Sequence, residues 1–183
     1  MASHPHFSMQ DASDWVVRFG ALIPRGADVL DLACGGGRHA RWLAGRDLNV
    51  LAADRDAAAL ATLDGQPSIR TLCADLEGGD WPWGEACFDA VVVTRYLFRP
   101  RLDRVAALLK PGGLLIYETF MDGNARFGKP SNPDFLLRPH ELLDWVRSWG
   151  SVIAFEQGEI ARPAPAMIQR ICAVRSDVLP VLN

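Results

Sequence analysis

Short apolar runs alternate with helix-period segments over residues 27–149, and this alternation restricts the fold more than any other feature of the chain. "ADVLDLAC" (27–34), "LNVLAAD" (48–54), "IRTLCAD" (69–75), "FDAVVVT" (88–94) and "GLLIYETF" (113–120) read as strands, the fourth being richest in β-branched residues. Between them "RHARWLAGR" (38–46), "AAALATL" (57–63) and "LDRVAALL" (102–109) read as helices. Gly45, a turn near Gly65, and Pro111-Gly112-Gly113 close them, with Lys110 in the last turn of the third. Residues 76–87, with three glycines and a proline, read as loop. Strands that each feed a helix imply β-α-β units and a mainly parallel sheet, so the class is α/β.

Outside this core, a first helix capped by Asp11 or Ser13 is expected to bury Trp15, Val16, Phe19 and Leu22 and to end at Pro24. After the fifth strand comes a loop of about 17 residues, "MDGNARFGKPSNPDFLL"; loops of that length tend to be functional. Residues 120–137 are therefore expected to act as a substrate lid. "PHELLDWVRSW" (139–149) reads as a last helix, and "SVIAFEQG" and "RICAVRS" as two closing strands. All 183 residues are expected to form one domain, with 1–24 as its N-terminal helical segment.

The stretch "LDLACGGGRHA" (30–40) joins the first buried strand to the helix after it. A glycine triplet is costly to order, because glycine loses more backbone freedom on folding than any other residue. At this place it lets the backbone approach a ligand at a helix N-terminus, where unpaired N–H groups and the positive dipole end face outward. Two cofactors use that geometry. Gly35-Gly36-Gly37-Arg38-His39-Ala40 satisfies the dinucleotide pattern G-x-G-x-x-G/A, and S-adenosylmethionine fits the same turn. A bare tight turn is the third reading.

Acids at successive strand ends separate these readings. Asp31, four residues before Gly35, lies within a buried strand, where a carboxylate needs donors; a zwitterionic, sulfonium-bearing ligand makes use of one and a nicotinamide does not. Asp54 follows Gly37 by 17 residues and suits ribose hydroxyls of either cofactor. Asp75, followed by Leu76, is placed to hold an adenine amino group and cover its face. The chain has no Tyr-x-x-x-Lys pair at Tyr96 or Tyr117 and no separate substrate domain, which counts against hydride transfer.

Composition narrows the partners. With 49% hydrophobic and 22% charged residues the chain is ordinary for a globular protein, and its formal net charge of −3 with no dense basic stripe disfavours nucleic acid. No apolar run nears a membrane span, and the first residues lack the pattern of a signal peptide. Cys34, Cys73, Cys87 and Cys172 are scattered without metal spacing, so no metal is expected and a reduced, cytoplasmic setting is.

On "VLDLACGGGRHA", the acids of "AADRD" and "CADLE", "FDAVVVT" and "LLKPGGLLIYE", the chain resembles class I S-adenosylmethionine-dependent methyltransferases over about residues 25–120. "CGGGRHARWLA", "RYLFRP" and the "GKPSNPDFLL" loop make it most similar to small bacterial enzymes related to the tellurite-resistance methyltransferases. The resemblance implies a Rossmann-like three-layer sandwich with a seven-stranded, mostly parallel sheet in the order 3-2-1-4-5-7-6, strand 7 antiparallel. It implies S-adenosyl-L-methionine as cofactor, with Asp31, Gly35, Gly37 and Thr94 at the methionine end. Asp54 would take the ribose, and Asp75 and Leu76 the adenine; Ala33, Arg38 and Arg55 flank these positions and are expected at the same ligand. "TRYLFRP" stands where an N-P-P-Y-type sequence would, which argues against methylation of base or glutamine amino groups.

The expected activity is methyl transfer to a small-molecule or small-anion acceptor by a monomer or homodimer. A nicotinamide oxidoreductase and a non-catalytic S-adenosylmethionine-binding module are the alternatives. Residues ending strands four and five face the ligand crevice of an open α/β sheet, so Arg95, Tyr96 and Glu118 are the candidates for positioning the acceptor. Arg99 is placed either with them or at the next helix start. His39 or Arg38 is expected to reach the ligand carboxylate. Arg126 and Lys129 are candidate lid cations, Trp81-Pro82-Trp83 a candidate adenine wall, and Arg18 a residue that folds over the site. His140 reads as a surface residue rather than a base.

Overall fold

The protein is described here by a computed structural model covering residues 11–176; the reading of the first ten residues as lacking a signal peptide lies outside them. Seven strands form one sheet in the order β3-β2-β1-β4-β5-β7-β6. They are β1 (Asp28–Leu32), β2 (Asn49–Asp54), β3 (Ile69–Cys73), β4 (Phe88–Thr94), β5 (Leu109–Phe120), β6 (Ser151–Ile160) and β7 (Ala166–Val174). All pairings from β3 to β5 are parallel, and β7 runs antiparallel to both β5 and β6. The sheet is the one the resemblance implies.

Five helices cover it: α1 (Asp14–Gly20), α2 (Arg38–Ala44), α3 (Ala57–Ala61), α4 (Leu102–Ala107) and α5 (Glu141–Val146). Buried strand residues alternate between two apolar layers, as the period-2 pleat requires. Val29, Val92, Ile116 and Cys172 pack with Trp15 of α1, Leu43 of α2 and Leu60 of α3. Leu30, Val91, Tyr117 and Ile171 pack on the other face with Val105 of α4 and Leu142 and Val146 of α5. Among the described residues no helix is long and apolar enough to cross a membrane.

Several element ends differ from expectation. Ser13 is the cap of α1, its side chain accepting from the Val16 amide, but the helix stops at Gly20, leaving Leu22 39% exposed outside the apolar face. Lys110 does not finish a helix. It begins the long β5, where Leu109 to Leu114 bulge against Phe88 to Ala90, and its Nζ lies 3.0 Å from Asp89. β6 runs two residues past its expected end, and β7 starts four residues before its expected start and ends at Val174, two short, the bounds following their pairing with each other and with β5.

The long loop after β5 is ordered by long-range contacts that local sequence does not carry. Met121 and Leu137 form an isolated parallel bridge, so the segment starts and ends side by side. Buried Asn124 donates from Nδ2 to the Pro130 carbonyl and accepts from the Met167 amide at Oδ1, tying the loop to β7. Arg99 grips its far end: Nε and Nη2 bind the Glu141 carboxylate at 2.5 and 2.8 Å, while the Asp134 and Leu136 carbonyls accept at 2.8 and 2.6 Å. Arg99 thus serves the loop rather than a substrate. The pair raises the Arg99 pKa and holds Glu141 below the usual carboxylate range despite its burial.

Removing a charged partner from a half-buried network costs about 1.5–3 kcal/mol. Arg99→Ala should therefore lower stability by about that amount in urea unfolding. The combined Arg99→Ala/Glu141→Ala chain should lose less than the two single losses added together; strict additivity would mean the pair contributes nothing beyond its parts.

Candidate active site

The strands' carboxyl ends meet at one edge, and the strand order reverses between β1 and β4, where open α/β sheets bind ligands. Both strands leave the sheet there through a non-glycine residue in the left-handed region, Ala33 (φ 57°) and Arg95 (φ 54°). Such backbone costs about 1–2 kcal/mol per residue and clusters at functional sites. Gly35 and Gly37 share that conformation. A Cβ on Gly37 would stand 2.5 Å from Leu63 Cδ1, so the Leu63 side chain, just past the end of α3, packs where a side chain would have been. One on Gly35 would meet nothing within 4 Å, so the turn is open on that side.

Asp54 holds this turn in place, its Oδ2 accepting from the Gly35 amide at 2.7 Å and its Oδ1 from the Asp56 amide at 2.9 Å. A cavity of about 130 Å³ opens against it, lined by Ala33, Asp54, Arg55, Asp75, Leu76, Glu77 and Tyr96. Ends of three successive strands, β1, β2 and β3, thus converge on one small space. Asp75 points its Oδ1 at the Glu77 and Gly78 amides, 2.9 and 3.1 Å away, and these hold it below the usual carboxylate range. Leu76 is buried beside it.

Beneath the turn Asp31 is fully buried, and neither carboxylate oxygen has a hydrogen-bond partner among the described residues. Burial pushes its pKa up to about 7; the Ala40 amide and Arg38 pull it down, and Asp54 adds to the rise. His39 is also buried. Its Nε2 accepts from the Ser13 amide at 3.3 Å, so the neutral ring carries its hydrogen on Nδ1, 3.2 Å from Thr94 Oγ1. Burial, with Arg38 and Arg95 near, lowers its pKa to about 3. The ring therefore splices the start of α1 to the end of β4 and does not reach for a ligand.

A larger cavity of about 400 Å³ lies over β5 and the β6–β7 hairpin. Its wall includes Arg38, Arg95, Glu118, Lys129, Arg162 and Arg170. Arg38 is half-buried, its Nη1 donating to the Asp11 carbonyl at 3.1 Å, and burial beside Arg95 lowers its pKa. Glu118 Oε2 lies 3.3 Å from Arg170, which also holds Glu156 at 2.5 Å.

Of the candidate acceptor residues, Arg95 and Glu118 meet in this larger cavity; Tyr96 does not. Tyr96 turns to the smaller one, where burial lifts its hydroxyl to about 12; the left-handed backbone at Arg95 lies between it and the end of β4. Thr94, Gly35, Gly37 and Asp31, expected at the cofactor, are not in the wall of the small cavity. Arg38, expected with the cofactor residues, lines the larger space. Arg18 and Arg126 are occupied by Glu156 (3.7 Å) and Glu159 (2.5 Å). Trp81 and Trp83 pack edge-to-face under the sheet and line neither cavity. His140 caps α5 and stacks on Phe155. Sequence reading missed Arg162, Arg170 and Glu77. The two arginines lie more than 40 residues from Glu118, with no local pattern to mark them.

Residues 29–113 match the methyltransferase domain family. An uncharacterized methyltransferase of Mycobacterium tuberculosis is 38% identical over 117 residues, covering 59% of this chain and 58% of that protein. The chain thus spans a little over half the length of the curated relatives it matches. Among solved structures, TehB from Haemophilus influenzae superposes with a TM-score of 0.70 at 20% identity, covering 87% of this chain and 61% of that one. The Burkholderia thailandensis 1,6-didemethyltoxoflavin-N1-methyltransferase, solved with bound S-adenosylhomocysteine, superposes with a TM-score of 0.65 at 22% identity, covering 89% and 77%. The chain is thus similar in sequence to the methyltransferase domain family over residues 29–113, from β1 and the glycine turn to the start of β5, and similar in fold to these Rossmann-like structures.

Proposed function

We propose that the protein transfers a methyl group from S-adenosyl-L-methionine to a small acceptor held in the larger cavity. The observation that carries this reading is the convergence of Ala33, Asp54, Arg55, Asp75 and Leu76 on one space of about 130 Å³. When bound, the cofactor supplies a methyl group already activated on sulfonium, so the chain's task is alignment and exclusion of water. Asp54 spends one lone pair of each oxygen on the turn and keeps the others for ribose hydroxyls. Asp75 and Leu76 take the adenine. Arg95 and Tyr96, adjacent in sequence, stand one in each cavity and hold acceptor and cofactor on either side of the strand-four end. Glu118, paired to Arg170, positions the acceptor. The four cysteines are all free thiols, which suits a reducing, cytoplasmic setting.

Asp31 is the residue whose protonation should report the ligand. A buried carboxylate without donors is tolerated by keeping its proton, and a cationic ligand end beside it favours releasing that proton. S-adenosylhomocysteine, whose ammonium is the same as the cofactor's, fits this chemistry. A nicotinamide offers it no comparable partner.

Three outcomes are expected. Asp54→Ala should weaken S-adenosylhomocysteine binding by about tenfold or more in calorimetry, with folding retained; equal affinity would remove Asp54 from the ribose. Near pH 6.5, binding should release protons, seen as a heat that varies with buffer ionisation enthalpy, and Asp31→Asn should abolish that variation. The third outcome concerns the ligand-free protein. Asp31 ordinarily titrates at 3.8 and here at about 7, so between those values the unfolded chain has lost a proton that the folded chain keeps. Its burial thus destabilises progressively from about pH 4 to 7 and by a constant amount above. His39, moved from 6.5 to about 3, acts oppositely: the unfolded chain gains a proton first, and stability falls as pH drops through that range. Asp31→Asn should therefore exceed the parent in Tm most at pH 8 and lose stability more steeply toward pH 4.5. Parallel Tm profiles would show that Asp31 has no raised pKa.

A further inference from the structure

We infer that the acceptor is a small organic anion, a carboxylate or phosphate on an apolar body, whose charged group is taken by Lys129 and Arg162. The place of this molecule in a reaction rests on the methyl-transfer reading; its recognition rests on the cavity itself. Size speaks first. The space is about 400 Å³, within the range that holds organic ligands, whereas an inorganic oxyanion of four or five heavy atoms fills only a few water volumes of about 30 Å³ each. Such an ion would leave most of the space to water.

The wall matches a two-ended ligand. Phe120, Phe127, Ile160 and Ile168 line it together with the turn "PAPA" (163–166), giving an apolar body somewhere to lie. The Glu118–Arg170 pair cancels its own charge. The rest of the lining then sets Arg38, Arg95, Lys129 and Arg162 against Asp11 and Asp14, a local positive excess on a chain of formal net charge −3. Concave sites concentrate such a field and draw anions from solution.

Lys129 and Arg162 are the members best placed to meet the charge. Both are exposed at the cavity margin, and neither pairs with an acid among the described residues. They belong to two segments tied together, since Asn124 bonds both the Pro130 carbonyl and the Met167 amide. The loop after β5 and the β6–β7 hairpin therefore present their cations from one braced unit. A guanidinium and an ammonium on opposite segments suit an oxyanion entering between them.

The test is a pair of separate calorimetric titrations on the full chain, one with S-adenosylhomocysteine and one with acceptor probes. Phenylacetate or phenyl phosphate should bind at least about tenfold more tightly than neutral phenylacetamide and than selenite. Lys129→Ala/Arg162→Ala should weaken the anion about tenfold or more and leave S-adenosylhomocysteine affinity and Tm unchanged, while Lys129→Arg/Arg162→Lys restores most of it. Equal binding of phenylacetamide, equal binding of selenite, or no binding of either organic anion to protein that takes up S-adenosylhomocysteine would overturn the inference. Anion binding with these preferences in a chain that ignores S-adenosylhomocysteine would instead uphold it and remove the methyl-transfer reading.

Discussion

Asp31 occupies the middle of the sheet, on β1 between β2 and β4, with both carboxylate oxygens buried and unbonded among the described residues. Leaving one polar group so placed typically costs about 1–3 kcal/mol, and more for a charged one. The surrounding structure is arranged to tolerate that. The apolar layers of both sheet faces hold β1 rigid, the glycine turn brings backbone over the acid instead of side chains, and Asp54 fastens the turn from the neighbouring strand. Burial of Asp31 raises its pKa to about 7, which ties its protonation to the stability of the fold.

Both cavities open beside the end of β4, since Arg95 and Tyr96, adjacent in sequence, line one each. The strand's alternation ends with Thr94, and beyond it Arg95 and Tyr96 go to separate cavities. The left-handed backbone at Arg95 sharpens the divergence, and its amide stays tied to the Glu118 carbonyl at 2.9 Å. His39 fastens the same region from below by joining Ser13 to Thr94, so the start of α1, which lines the larger cavity, moves with the strand that divides the two. A neutral imidazole serves here as a linker with one donor and one acceptor, a use that its burial enforces.

Much of this was legible in the chain alone, and the reasons are local. A strand-turn-helix unit with three glycines has few alternatives, and residues at or just past the ends of successive parallel strands, Asp54 and Asp75 among them, fall together when those strands are neighbours. That is why Ala33, Asp54, Arg55, Asp75 and Leu76 converge as expected. The misreadings come from elsewhere. Lys110 followed by Pro-Gly-Gly has the local marks of a helix end, yet pairing of β5 with β4 draws it into the strand and an ion pair with Asp89 keeps it there. Arg99 follows strand four as a substrate residue would, but its partner Glu141 lies 42 positions on. Tyr96 was expected beside Arg95, because proximity in sequence does not say on which side of a strand end a side chain falls.

By itself the sequence determined the α/β class, the glycine turn and the row of acids, since each depends on residue type, period and short spacing. The loop over residues 121–137 and the larger cavity were decided only by tertiary structure. Arg162 and Arg170 arrive there on the β6–β7 hairpin, whose second strand runs antiparallel to the rest of the sheet, and Asn124 and Arg99 brace the loop through partners 35 to 43 residues away. Contacts at such separations leave no periodic trace, because what selects them is the register of strands already paired and not the preference of any residue for its neighbours.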